Sequence, residues 1–317
     1  MLLGGDIPEI VDYIDTKTLR VYAPTSAVFV CGGRIDITAP LPASLRDAFL
    51  KAQASKPICD YKVILAEELN AFFPRGSYKD ILSFEADIAQ ISELIVLFSE
   101  SFGSVAELGA FSMVEEIAFR LLVVIDDKNY NDLSFITLGP IRALENTYGG
   151  SAVCVLNRID INIKSISNVS SLNTVVFAER LKSAIGARKS TSPDHSTFNQ
   201  DRNGHLIKLI VGMIQHYGSL TVDEIDVLLY CFDLKVKYQN ISDLLLCAEF
   251  FRWIIRDKRG VETYYSALNN REAIGYKRRS EGPSIDKTRW RADVVEYWRR
   301  SDPDRFSSIR DAKLILS

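Results

Sequence analysis

Leu94-Ile-Val-Leu-Phe98-Ser99-Glu100-Ser101-Phe102-Gly103-Ser104-Val105-Ala106-Glu107-Leu108-Gly109-Ala110-Phe111 is the stretch whose reading decides the rest of the chain. A continuous apolar run of strand length ends in a polar loop, and a helix follows. An unbroken apolar strand belongs to a sheet covered on both faces, which is an α/β architecture. In such sheets ligands bind beyond the carboxyl ends of the strands, where loops of this kind lie. The loop sets backbone N–H groups and a helix N-terminus beside that crevice. Glu107 falls in the first turn of the expected helix and faces the same crevice. A tightly packed helix would account for Gly109, which in a helix interior costs about 1 kcal/mol.

Further strands lie on either side of this one. Ala27-Val-Phe-Val-Cys31 precedes Gly32-Gly33-Arg34, and Ser44-Leu-Arg-Asp47 then opens a helix with a capping-box pattern. The Gly32-Gly33 turn lacks the GxGxxG spacing of a dinucleotide fold, so a plain tight turn and a phosphate-binding turn both stay open. Tyr61–Leu65, Arg120–Ile125 and Ala152–Leu156 read as strands, with Ala66-Glu67-Glu68 after the first and Asp126-Asp127 after the second. Ile81, Leu82, Phe84, Ile88 and Ile91 recur at helical spacing within 76–93. A short helix is expected over Gly139–Asn146. Another is expected over 171–185, with Leu172, Val175, Val176, Ala178 and Leu181 as its apolar face. A turn or short helix is expected around Pro8–Tyr13. Alternating strands and helices imply a parallel sheet with right-handed crossovers, a Rossmann-like domain over residues 1–186.

The composition changes at Ala187–Gly204, which is polar and aperiodic and reads as a linker. From 205 to 317 the pattern is a second, mostly helical domain. Leu206, Ile207, Leu209, Ile210, Met213 and Ile214 stripe one helix, Thr221-Val-Asp-Glu224 is a capping box for another, and Ile241–Phe251 supplies a third. Trp253–Ile255, the charged turn Arg256–Gly260 and Val261–Tyr265 suggest a β-hairpin. Three helices with a charged hairpin make a winged-helix pattern. Arg256, Lys258 and Arg259 on the hairpin, with Lys277, Arg278, Arg279 and Arg289 beyond it, are the candidates for meeting nucleic acid or a partner, because Lys and Arg neutralise phosphates. Asp286, Asp293, Glu296, Asp302 and Asp304 dilute that field, so a solvated helix of mixed charge is the other reading.

A length of 317 residues exceeds a comfortable single core, so two domains are expected. A net charge of −3 identifies no partner. Five cysteines without a CxxC pair read as small buried hydrophobes of a reducing compartment. No signal peptide and no apolar run of about 18 residues is present, so a cytosolic protein with no membrane role is expected. His195, His205 and His216 have no metal-ligand spacing, and no metal is expected.

The chemistry must therefore come from carboxylates. In glycosyl transfer one carboxylate attacks the anomeric carbon, and a second orients it or manages the leaving-group proton. Glu107 and Asp87 are the candidate pair. Ser104-Val-Ala-Glu107 is also a capping box, which gives Glu107 a structural alternative, and Asp87 alone reads equally as a solvated helix residue. Gly103 would let a substrate approach the backbone.

Gly103-Ser104-Val-Ala-Glu107-Leu-Gly109-Ala110 resembles the nucleophile loop of nucleoside deoxyribosyltransferases, whose acidic residue in a G-[ST]-x-x-E-[IL]-G pattern attacks the sugar. Asp87-Ile-Ala-Gln-Ile-Ser92 is similar to that family's upstream D-x-x-x-I-S segment. Val28–Gly33, Leu82-Ser-Phe-Glu85 and Leu97–Ser101 resemble more particularly the effector proteins of bacterial retrons, which join such a domain to a C-terminal winged-helix-like one. The resemblance is dense over about 27–145. It implies an antiphage effector that cleaves the N-glycosidic bond of a nucleotide with Glu107 as nucleophile. NAD is then a substrate, not a cofactor, and nicotinamide is its leaving group. It also implies that Gly32, Gly33, Arg34, Glu68, Ser101, Gly103 and Ser104 line the substrate, and that a retron reverse transcriptase and its branched RNA–DNA (msDNA) hold the effector in an oligomeric ribonucleoprotein assembly. Cys31-Gly-Gly-Arg34 and Ala66-Glu-Glu68 depart from the transferases, which argues against base exchange and leaves hydrolysis open. A nucleotide-sensing DNA-binding regulator and a non-catalytic structural subunit are the alternatives.

Overall fold

The computed structural model describes residues 2–3, 9, 11, 14–191, 195–268, 271–277 and 286–315. Arg278 and Arg279 lie outside the described residues, as does most of the expected Pro8–Tyr13 turn. In chain order, β1 (Arg20–Val21) precedes β2 (Ala27–Cys31), α1 (Leu45–Ser55) and β3 (Lys62–Leu65). Then come α2 (Leu69–Phe72), α3 (Ile81–Ile91), β4 (Leu94–Phe98), α4 (Phe102–Ser112), α5 (Glu115–Ala118), β5 (Leu121–Asp126) and α6 (Asp127–Asn131). A π-turn at Thr137–Ile141, where Pro140 cannot donate a helical hydrogen bond, leads into α7 (Arg142–Tyr148), β6 (Val153–Leu156) and α8 (Thr174–Ser190).

The chain forms two compact units that interleave in sequence, where consecutive domains were expected: residues 26–69 with 92–193, and residues 1–25 with 70–91 and 194–317. The first unit holds a five-stranded parallel sheet in the order β3-β2-β4-β5-β6. Every residue of β2, β4 and β5 is buried, as unbroken apolar runs require. Val28, Val30, Leu94, Val96, Phe98, Leu122 and Val124 form one face and pack with Leu45, Ala48 and Phe49 of α1 and Phe177, Leu181 and Ile185 of α8. The apolar face expected for α8 is rotated: Val175 is exposed, and Phe177, Leu181 and Ile185 recur at the true helical step. On the opposite side of the sheet α4 meets β4 and β5. The order reverses between β2 and β4, so the switch-point crevice lies beyond their carboxyl ends.

The second unit contains the segment read as a linker. Within it, β7 (Ser196–Thr197) pairs with β1, which also pairs with β11 (Ile274–Gly275). Next come α9 (Asn203–Tyr217), β8 (Ser219–Leu220), α10 (Val222–Cys231), α11 (Tyr238–Phe250), β9 (Ile254–Arg259) and β10 (Glu262–Ala267). The hairpin recruits β8 into a sheet of order β8-β10-β9. The Thr221–Glu224 capping box forms as expected, with Thr221 N donating to Glu224 over 2.9 Å. Helix α9 is buried nearly all round, as the central helix of a unit must be. A Cβ on its Gly212 would lie 2.5 Å from Ile274. The C-terminal helices are α12 (Lys287–Ser301) and α13 (Pro303–Leu314). Buried Arg305 ties α13 to Glu224 and to Asp302. No helix among the described residues is long and apolar enough to cross a membrane.

Candidate active site

Helix α4 begins one residue after Ser101, not at Ser104. The Ser101 side chain accepts from Ser104 N–H at 3.1 Å, and the Ser104 hydroxyl accepts from Ser101 N–H at 3.0 Å. The cap is thus complete without Glu107, which moves to the second turn and does not cap. Ser101 and Ser104, expected to line the substrate, are both used by the cap, and Ser104 is buried.

Glu107 instead points its carboxylate into a half-buried position at the switch point. One oxygen, Oε2, is buried without a hydrogen-bond partner. Burial pushes the carboxyl above its ordinary pKa; the Cys31 thiol and Arg46 pull it back, and the Glu67 carboxylate adds to the rise. The three groups come from β2, α1 and the turn after β3, so the sheet's own topology assembles them.

Glu100 is the hub of this arrangement. Its carboxylate accepts from Gly33 N–H at 2.9 Å, Leu45 N–H at 2.7 Å and Arg46 N–H at 3.0 Å. It therefore satisfies the open N-terminus of α1 and ties it to the β2 turn. The two glycines are there for space. A Cβ on Gly32 would lie 2.9 Å from Phe98 Cβ and 3.0 Å from Arg46 Cβ, and one on Gly33 would lie 2.9 Å from both Glu100 Oε1 and Ser44 Cβ. Close packing thus accounts for both glycines. Arg46 Nε donates to Gly33 O at 2.7 Å, and its guanidinium forms a two-pronged pair with Glu67, one prong at 3.0 Å.

The other expected residues fall elsewhere. Arg34 points to solvent, 79% exposed, and pairs with Asp36 at 3.4 Å. Glu68 accepts from Leu65 N–H at 3.2 Å, capping its own turn, while its neighbour Glu67 takes the place beside Arg46. Gly103 and Gly109 stand in open space: a Cβ at Gly103 would find only Ser101 Oγ at 3.9 Å, and one at Gly109 nothing within 4 Å. Tight packing therefore does not explain Gly109. Asp126 and Asp127, also at a strand end, are structural: Asp126 caps α6 and pairs with Arg158 at 2.6 Å, and Asp127 accepts from Arg158 N–H.

Asp87 is buried, and it belongs to the other compact unit. Tyr78 donates to it at 2.8 Å and Asn203 at 3.0 Å, and burial raises its pKa against these bonds. On the hairpin, Arg256 and Lys258 alternate outward and are exposed, whereas Arg259 is held by Asp257 at 2.7 Å and Asp311 at 2.6 Å. Lys277 and Arg289 are exposed.

Sequence reasoning missed Arg46, and it chose Glu68 where Glu67 holds the place. A polar residue in the first turn of a capped helix looks solvated. The available signal was the pair of adjacent glycines just upstream, whose missing side chains make room for a large one.

A sequence model of STM3845 retron effector proteins matches residues 42–256. A candidate ribosyltransferase/DNA-binding protein of the Escherichia coli retron Ec73 is 25% identical over 169 residues, 51% of this chain and 52% of the relative. Its counterpart from the E. coli retron Ec86 is 36% identical over 86 residues, 24% of this chain and 28% of the relative. The chain thus spans about half the length of the first relative and less of the second. The family match takes in Arg46, Glu67, Asp87, Glu100 and Glu107 and covers well over half of the sequence, and on that ground the chain belongs to the STM3845 retron effector protein family.

Proposed function

We propose that this protein is the toxic effector of a retron antiphage defence, and that its sheet unit cleaves the N-glycosidic bond of a nucleotide through Glu107. The observation that carries the reading is the Glu107 carboxylate at the switch point, with one buried oxygen left without a partner. A buried carboxylate oxygen without a donor is costly unless the site uses it. The open space beside Gly103 and Gly109 leaves one side of α4 free for a substrate. The ribosyltransferase name carried by the relatives fits the same class of chemistry.

The substrate is NAD and the leaving group nicotinamide. A Glu107 oxygen attacks C1′ of the ribose as the C1′–N bond breaks, through an oxocarbenium-like transition state. The electron pair of the broken bond returns to the pyridinium nitrogen, so nicotinamide leaves neutral and needs no proton. Water then attacks C1′, the ester bond to Glu107 breaks with its electrons returning to the carboxylate, and one proton is released. Arg46 stabilises the carboxylate when it carries charge.

The order α9-β8-α10-α11-β9-β10 supports a winged-helix-like role for the other unit. Exposed Arg256 and Lys258 are then placed to meet the branched RNA–DNA, and the reverse transcriptase holds the effector in check within an oligomeric assembly. The DNA-binding part of the relatives' names favours a second reading, a nucleotide-sensing regulator without catalysis.

The test is the nucleotide content of cells that express this protein without its retron partners, wild type against Glu107→Gln. NAD should fall and nicotinamide rise in wild type alone. Unchanged pools with both proteins soluble would remove the enzyme reading and leave the regulator.

A further inference from the structure

Resting on that glycosidic reading, we propose that Arg46 and Glu67 are the positioning couple of the site. Arg46 presents a fixed positive charge to the Glu107 carboxylate, and Glu67 holds that charge at the mouth of the crevice.

Four segments converge to place this guanidinium. Helix α1 carries it at its second position, and Glu100, from the loop after β4, fixes the backbone there by accepting from both Leu45 N–H and Arg46 N–H. The turn after β2 supplies the Gly33 carbonyl that receives Nε at 2.7 Å. The turn after β3 supplies Glu67, which takes both terminal nitrogens. The β2 turn is also cut to the shape of this side chain, since a Cβ on Gly32 would lie 3.1 Å from Arg46 Cδ. The Arg46 side chain is 3% exposed and its carboxylate partner 54%. A buried guanidinium paired with a half-exposed carboxylate adds little net stability. What the arrangement supplies is a rigid fork whose charge cannot swing away.

The groups facing Glu107 are the Cys31 thiol from β2, Arg46 from α1 and Glu67 from beyond β3. Arg46 favours the anionic form that attacks carbon, and Glu67 opposes it. Removing either charge therefore moves the ionisation of Glu107, in opposite directions. A residue that only braced the fold would produce no such pair of opposite shifts.

The experiment is a titration of the purified full chain with 13C-labelled glutamate side chains, the Glu107 signal being assigned by its loss in Glu107→Gln. Arg46→Gln should move the Glu107 midpoint to higher pH, and Glu67→Gln to lower pH, each by roughly one unit or less. The acid limb of the pH profile for NAD hydrolysis should move with it. Glu67 is half-exposed, so Glu67→Gln carries the test alone where Arg46→Gln fails to fold. An unmoved midpoint in a folded Glu67→Gln overturns the proposal. The titration reads the carboxylate itself. An inactive wild type with the expected shifts would remove the glycosidase reading and keep the couple, and an active wild type with unmoved midpoints would do the reverse.

Discussion

Glu107 combines burial, a missing donor and a nearby positive charge, and these pull its ionisation in different directions. Burial is the larger influence, so its folded-state pKa lies above the unfolded value. A raised carboxyl pKa means that the folded state holds the proton more tightly. The stability this gives is present below the unfolded pKa and is lost as pH rises through the folded one. At neutral pH the carboxylate is therefore a burden on the fold, as functional groups often are. Glu107→Gln keeps the shape and removes the charge. Urea melts of the two proteins should show the variant gaining stability over wild type as pH rises from 4 to 7, while it loses all glycosidic activity. A variant that is less stable at neutral pH would mean that the carboxylate is paired for structure. Little of this could be read in the sequence, where Ser104-Val-Ala-Glu107 fits a capping box as well as a nucleophile loop. Two serines three apart fit the same box one step earlier, and the chain uses them. Only the start of α4 decides between the two, and helix ends are where local patterns are weakest.

At the scale of elements, the five strands are legible within a residue or so because an unbroken run such as Leu94–Phe98 can be buried on both faces only in a covered parallel sheet. The approach of α1 to the ends of β2 and β4 is not legible. It depends on side chains far apart in sequence, Glu100 reaching back to Gly33, Leu45 and Arg46. The glycines of the site separate on this point, although all sit in similar-looking loop and helix contexts. Gly33→Ala would force its new methyl against Glu100 and Ser44, both backed by packed elements. Overpacking of this kind costs about 1–3 kcal/mol. It should also uncap α1 and displace Arg46, so thermal stability and activity fall together. Gly109→Ala adds a methyl to open space inside a helix, which stabilises by about 0.5–1 kcal/mol. If Gly109 borders the substrate, the same change should raise KM while raising Tm. Paired thermal melts and NAD-hydrolysis kinetics check both. Equal melting temperatures for the two alanine variants would contradict the packing difference.

At the scale of the molecule, the chain leaves the sheet unit after Leu69 and rejoins it at Ser92, and the excursion belongs with the C-terminal unit. The apolar spacing of α3 declares a helix, but spacing alone cannot declare which core that helix joins. Its partners lie more than a hundred residues on. Asn203 donates to Asp87, Gly204 N–H donates to Gln90 at 3.0 Å, and Ser77 N–H donates to Asp243 at 2.6 Å. Phe72 and Phe84 meet Phe250 edge-on, and Arg75 pairs with Glu249. This explains why Asp87 reads as a helper carboxylate in one dimension and forms a buried staple in three. A fragment of residues 194–317 would lack α3, and would expose the faces of α9 and α11 that α3 covers. It should therefore melt without a sharp transition and bind an apolar dye, whereas the full chain should not. Fusing residues 70–91 to the fragment should restore a cooperative melt. In the full chain, Asp87→Ala should cost about 1–3 kcal/mol, because Tyr78 and Asn203 lose a buried acceptor together. The variant should still hydrolyse NAD wherever it remains folded, since every group that faces Glu107 belongs to the sheet unit. A sharp melt of the bare fragment, at the temperature of the full chain, would show that the excursion is dispensable. A folded Asp87→Ala protein without activity would return Asp87 to the chemistry.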